Sequence, residues 1–135
     1  MANSHSAAQK LQNNLSPQLS ASLMVEAKFT VKELKFRLGS NQPNLTIIDV
    51  RGLDDFDREH IQGSISVPFS RLEDLARSAL ARYRDIYIYG ESDEQSLAAV
   101  QILLGNGFMN VAQIIGGLTT WREVAGSTEG IEIQT

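Results

Sequence analysis

The four residues Ile86-Tyr87-Ile88-Tyr89 are all β-branched or aromatic, and Gly90 ends the run, which reads as a buried strand. A polar stretch, Glu91 to Ser96, follows, and then Leu97-Ala98-Ala99-Val100-Gln101-Ile102-Leu103-Leu104, rich in helix formers and running up to glycines at 105 and 107. Strand, tight loop and helix in that order form half of a βαβ unit, which commits the chain to a parallel sheet covered by helices. In open α/β sheets ligands sit where such loops leave the C-terminal ends of the strands. Gly90 to Ser96 is therefore the first place to expect a site.

The rest of the chain repeats the alternation. Residues 1–27, rich in Ser, Asn, Gln and Ala, read as a polar, partly ordered leader. Its Leu11, Leu15, Leu19 and Leu23 are spaced to line one side of a helix, with Pro17 breaking the pattern or opening a second short helix after Ser16. The domain spans residues 28–126. Thr30-Val31-Lys32-Glu33 is a capping box opening a helix with Leu34 and Leu38 on its apolar side and Gly39 at its end. Asn41 to Asn44 is a turn, and Leu45 to Val50 a second buried strand that delivers Asp49 and Arg51 at its C-terminal end.

Leu53 to His60 reads as a short exposed helix anchored by Phe56, and Gly63 to Pro68 as a short strand. Ser70-Arg71-Leu72-Glu73 is a second capping box, with Leu72, Leu75, Ala76, Ala79 and Leu80 along one side of the helix it opens. Val111 to Ile115 reads as a further strand, and Gly116-Gly117 turns the chain into a last helix around Trp121. Residues 127–135 read as a C-terminal tail in which Ile131 to Ile133 could pair on a sheet edge.

Composition narrows the chemistry. A chain of 135 residues with net charge −4 and no cluster of Lys and Arg argues against nucleic-acid binding. No apolar run approaches the ~20 residues that span a bilayer, so membrane insertion is not expected. Nor does the N-terminus read as a signal peptide, which makes the cytoplasm the expected location. The decisive count is cysteine: there is none. That removes disulfides, thiolate nucleophiles and Cys-based zinc sites together. With only two histidines, His5 and His60, a His-rich metal site is not expected either, and no cofactor is indicated.

Asp49-Val50-Arg51, Phe56, His60-Ile61-Gln62-Gly63, Pro68, Gly107-Phe108 and Gly116-Gly117 with Trp121, in that order and at those intervals, resemble the rhodanese-like (sulfurtransferase) domain over about residues 29–126. The resemblance implies an α/β fold with a central five-stranded, mainly parallel sheet and helices on both faces. It also implies that the strand at Ile86 to Tyr89 should end in a nucleophilic cysteine, whose persulfide is wrapped by backbone N–H groups of the following loop. The aligned residue here is Gly90. Sulfur transfer through an enzyme persulfide depends on a thiolate, so this chain acting alone cannot carry it out. Asp49 and Arg51 correspond to residues that brace the pocket by ion pairing, and His60 to one that ties down a backbone group.

The loop's charge points the same way. Glu91, Asp93 and Glu94 stand where an anion-binding loop would be neutral or basic, and Gln95 occupies a position where the family often has a basic residue. A carboxylate within 4 Å of a bound anion costs roughly 1–4 kcal/mol, against ~0.3–1 kcal/mol of attraction from a helix dipole. Turned outward, the same side chains make an acidic knob. A purely structural reading explains these residues equally well: acids favour the first turn of a helix, and Ser92 or Ser96 is a good N-cap. A serine-hydrolase arrangement of Ser92, His60 and Asp49 has no support in the spacing.

The expected function is that of a catalytically inactive rhodanese-like domain, acting as a protein-interaction or regulatory module. It would use the cleft rim and the loop Gly90, Glu91, Ser92, Asp93, Glu94, Gln95 and Ser96, braced by Asp49 and Arg51, with another protein as partner. The alternative is an enzyme that relies on a partner's cysteine or runs a non-thiol reaction in the same cleft.

Overall fold

The computed structural model describes residues 31–40, 45–78, 82–124 and 126–131. The leader stripe Leu11 to Leu23, the cap residue Thr30, the turn at 41–44, Ala79, Leu80, Glu132 and Ile133 lie outside them.

Helix α1 covers residues 31–39. It is followed by β1 (Leu45–Asp49), α2 (Leu53–Arg58), β2 (His60–Ile61), β3 (Ile65–Ser66), a 3-10 turn (Phe69–Arg71) and α3 (Leu72–Ser78). Then come β4 (Asp85–Tyr89), α4 (Asp93–Gly105), β5 (Asn110–Gln113), α5 (Gly117–Glu123) and β6 (Thr128–Glu129). Among the described residues the main sheet has four strands, not five, in the order β3-β1-β4-β5 and all parallel. A separate antiparallel pair joins β2 to β6.

The residues of β4 explain the layering. Successive side chains on a strand point to opposite faces. Ile86 and Ile88 enter a core with Ile48, Leu72, Ala76, Ala99, Leu103 and Phe108, beneath α3 and α4. Tyr87 and Tyr89 enter a second core with Val31, Leu34, Ile47, Ile61, Ile114 and Trp121, beneath α1 and α5. A continuous apolar run thus marks a strand buried on both faces.

Several expectations are corrected in detail. In α1, Val31 and Leu34 fill the core while Leu38 is 37% exposed, so the buried side ends before the last turn of the helix. The expected strand Gly63 to Pro68 shrinks to Ile65–Ser66, paired on one side to Ile48 and Asp49. Helix α2 stops at Arg58 and buries no residue, and His60 belongs to β2. The second capping box does not open α3 directly. Pro68 precedes the 3-10 turn, which continues into the helix through Leu72. Strand pairing near the C-terminus uses Thr128–Glu129, two residues before the expected Ile131, which is exposed.

Helix α4 ends in a Schellman motif. The N–H of Gly107, at φ +89°, donates to the Leu104 carbonyl, and that of Phe108 donates to Leu103. Phe108 and Leu103 then meet in the same core, the apolar contact that accompanies this cap. The motif reverses the chain and aims β5 alongside β4, where Ile88 pairs with Gln113.

Candidate functional site

Because β1 and β4 are parallel neighbours with Asp49 opposite Tyr89, the segments leaving them emerge side by side at one edge of the sheet. Asp49 and Arg51 leave β1 there, and Gly90 to Ser96 leaves β4.

Asp49 is fully buried. Its Oδ1 accepts from the Arg51 backbone N–H at 2.9 Å and from Nε at 3.1 Å, and its Oδ2 accepts from Nη2 at 2.8 Å. The same Nη2 donates to the Glu59 carbonyl at 2.6 Å, tying β1 to the end of α2. The guanidinium lies 5.5 Å from the centre of the Tyr89 ring. Burial opposes its charge, yet hydrogen bonding and attraction from Asp49 outweigh that and raise the Arg51 pKa. Both side chains are committed to each other and to the backbone, the arrangement of an internal brace.

Tyr89 carries the brace further. Its hydroxyl accepts from the Ile61 N–H at 3.0 Å and lies 3.4 Å from Ser64 Oγ. Burial, then the nearby Asp49 charge, pushes the phenol pKa well up, so it stays neutral and serves as a fixed hydrogen-bonding post. His60 is held too: Nδ1 lies 2.6 Å from the Phe56 carbonyl, and the ring stacks on Phe56 at 3.7 Å. Its other nitrogen is 3.5 Å from a Glu129 carboxylate oxygen.

The loop itself is stitched from within. Ser92 is the N-cap of α4, its Oγ accepting from the Gln95 N–H at 3.1 Å. The Asp93 carboxylate accepts from the Gly116 N–H at 2.8 Å. The Gln113 amide donates to the Asp93 carbonyl at 2.7 Å and to Ser96 Oγ at 2.9 Å, and Ser96 is buried. Gly117, at φ +54°, brings the α5 turn so close that a Cβ there would lie 3.3 Å from the Gly90 carbonyl. Glu91, Ser92, Asp93 and Glu94 are all exposed, so the acids form the outward knob and not a charged lining.

At Gly90 the floor is occupied from the side. A Cβ built there would lie 2.5 Å from Gln95 Oε1 and 3.0 Å from a Val50 methyl. Gln95 Oε1 in turn accepts from the Glu91 N–H at 2.9 Å. The Gln95 carboxamide thus folds back over the glycine and takes the first N–H of the loop.

The structure brings the loop and the Asp49–Arg51 pair to one edge. It does not assemble Ser92, His60 and Asp49 into a relay: each is engaged elsewhere, Ser92 as a cap, His60 on Phe56 and Asp49 with Arg51. Sequence reasoning missed Gln113 and Tyr89 as supports, and missed that Gln95 turns inward. A hydrogen-bonding side chain inside an apolar run, Gln113 in Val111 to Ile115 and Tyr89 in Ile86 to Tyr89, was the available signal for the first two. Among the described residues, no three His, Asp or Glu side chains converge to hold a metal ion, and no helix is long and apolar enough to cross a membrane.

Comparison with known proteins matches residues 30–124 to the model of the rhodanese-like domain. The chain belongs to the rhodanese-like family. A crystal structure of the Alr3790 protein from Anabaena is 42% identical with a TM-score of 0.72, covering 75% of this domain's chain and 90% of that one. A structure described as rhodanese with anions, from E. coli, is 25% identical with a TM-score of 0.56, covering 64% and 99%. The putative sulfur carrier protein YrkF of Bacillus subtilis is 28% identical over 102 residues, 76% of this chain and 52% of YrkF. The adenylyltransferase and sulfurtransferase MOCS3 of Oryza sativa is 33% identical over 108 residues, 70% of this chain and 24% of MOCS3. The chain therefore spans about half the length of YrkF and about a quarter of MOCS3. Rhodanese-like relatives thus include proteins named as sulfur carriers and sulfurtransferases.

Proposed function

We propose that this chain is a catalytically inactive rhodanese-like domain that works as a protein-interaction or regulatory module in the cytoplasm. Its binding surface is the exposed part of the Gly90 to Ser96 loop, with Asp49 and Arg51 as the internal brace that holds the rim in place. The observation that carries this reading is the chemistry at position 90. A persulfide carrier needs a thiolate at the end of β4, and here there is a glycine whose side-chain space Gln95 fills, in a chain without any cysteine.

Relatives named as sulfur carriers and sulfurtransferases support a setting in which the fold meets other proteins, so a protein partner suits this module better than a small anion. Exposed acids favour a partner surface that carries Lys or Arg. Of the three acids, Asp93 is engaged with Gly116, which leaves Glu91 and Glu94 as the two to neutralise without disturbing the loop.

Two measurements test the proposal. Purified protein should show no thiosulfate:cyanide sulfurtransferase turnover above a blank, and clear turnover would overturn the inactive reading. A partner captured with wild type should bind the Glu91→Gln/Glu94→Gln variant more weakly. Equal affinity would remove the loop from the interface. If the captured partner presents a reactive cysteine to this cleft and the pair transfers sulfur, the enzymatic alternative replaces the module reading.

A further inference from the structure

Gln95 sits in the first turn of α4, where a long polar side chain ordinarily reaches into solvent. Here it does the opposite. Its Oε1 accepts from the Glu91 N–H and stands 2.5 Å from where a Cβ on Gly90 would be. Its own backbone N–H is held by Ser92 Oγ, so the residue is anchored at its base while its tip covers the glycine. Two independent observations coincide: a position without a side chain, and a neighbouring side chain that fills that space and takes the adjacent hydrogen-bond donor.

We propose that Gln95 is a latch over the floor of this loop, an internal stand-in for the missing side chain at position 90. Any group that reaches the floor must expel the carboxamide and compete for the Glu91 N–H. The latch is a property of the chain itself and goes beyond the interaction reading, since it holds whether or not a protein docks on the exposed acids. The contact is of a kind that opens: the atom in the way is the far end of a flexible side chain, held among the described residues by the neutral hydrogen bond from the Glu91 N–H.

The first test fills the space directly. Gly90→Ala places a Cβ only 2.5 Å from the present position of Gln95 Oε1, so the carboxamide must move off the Glu91 N–H. Amide hydrogen exchange at Glu91 should then be about tenfold faster than in wild type, and Gly90→Ala/Gln95→Ala should match the single variant. Unchanged protection of Glu91 in Gly90→Ala would overturn the latch.

A second measurement leaves position 90 unaltered. In otherwise unaltered protein, Gln95→Ala should speed amide hydrogen exchange at Glu91 and leave Gly116, which is held by Asp93, unchanged. Gln95→Glu, which keeps an acceptor oxygen, should retain the protection. Unchanged exchange at Glu91, or loosening of Glu91 and Gly116 together, would overturn the proposal. Sulfurtransferase turnover by wild type would defeat the inactive reading yet leave these exchange differences as they are, so the two failures are distinguishable.

Discussion

Replacing Arg51 by Met removes the guanidinium and leaves the Asp49 carboxylate, at 0% exposure, with only a backbone N–H as partner among the contacts Arg51 supplies. Breaking a buried ion pair by deleting one member costs about 3–5 kcal/mol, because the remaining charge is neither solvated nor paired. That is a large share of the ~5–15 kcal/mol by which a domain is stable. At about 4 °C or more per kcal/mol for a domain of this size, the midpoint should fall by at least ~12 °C. Urea unfolding followed by circular dichroism measures the cost. The double variant Asp49→Leu/Arg51→Met removes both charges and should recover most of the loss, since apolar replacement of a buried pair is often close to neutral. A single-variant cost below about 1 kcal/mol, or a double variant no better than the single, would refute the brace. Binding separates brace from contact: below its midpoint, Arg51→Met should keep wild-type affinity for a captured partner, and a loss there would place Arg51 in the interface.

Glu59 accepts from Arg122 and Thr128, and those hydrogen bonds, Arg122 first, lower its pKa despite some burial. A depressed carboxyl stabilises the fold above its unfolded pKa of ~4.3 and loses that contribution as pH falls through the folded value. Wild type should therefore lose stability below about pH 4.3 more steeply than Glu59→Gln, and identical slopes would rule out the linkage. Tyr89→Phe strips the Ile61 N–H of its acceptor and should cost ~1–3 kcal/mol in chemical denaturation; a neutral effect would mean water takes its place. Gly126→Ala places a methyl into the buried Trp121 ring and should destabilise by roughly 1–3 kcal/mol with a changed tryptophan emission, so a silent substitution would contradict the packing there. Gly90→Cys alone should give little sulfurtransferase activity because of the acids on the rim, and robust activity would defeat that electrostatic argument.

Where burial is two-sided, the residues announce it. Ile86 to Tyr89 has no polar face, and the strand, its loop and α4 follow from that run. A serine N-cap, Ser92 or Ser96, and the glycines beyond α4 were equally legible because they answer local backbone needs, and the structure selects Ser92. Short elements were legible only loosely. The strand expected over Gly63 to Pro68 is Ile65–Ser66, and pairing expected at Ile131 falls on Thr128–Glu129, because two-residue strands are too short for periodicity to fix their bounds. The pairing of Thr128–Glu129 with His60–Ile61 is a tertiary fact, supported by the Glu59 contacts to Arg122 and Thr128 across the fold. In the site, the missing thiol was plain in the sequence. The direction in which Gln95 turns was not, because an exposed first-turn glutamine and one folded back on its own loop have the same local sequence.

The contacts that shape the loop explain how it keeps its form without a side chain at position 90. Ser92 caps the helix, Asp93 holds Gly116, Gln113 holds Asp93 and Ser96, and the Gly117 turn packs against the Gly90 carbonyl. Position 90 contributes only backbone to this set. A residue without a side chain at position 90 therefore costs the loop none of these bonds, and the Gln95 carboxamide lies over it. Acids can then gather at Glu91 and Glu94, where no buried anion repels them and the N-terminus of α4 favours their charge. In a persulfide carrier the same acids would oppose the charge at the centre of the loop, so under the proposed inactive reading a loop without a thiol and an acidic knob are physically consistent with each other.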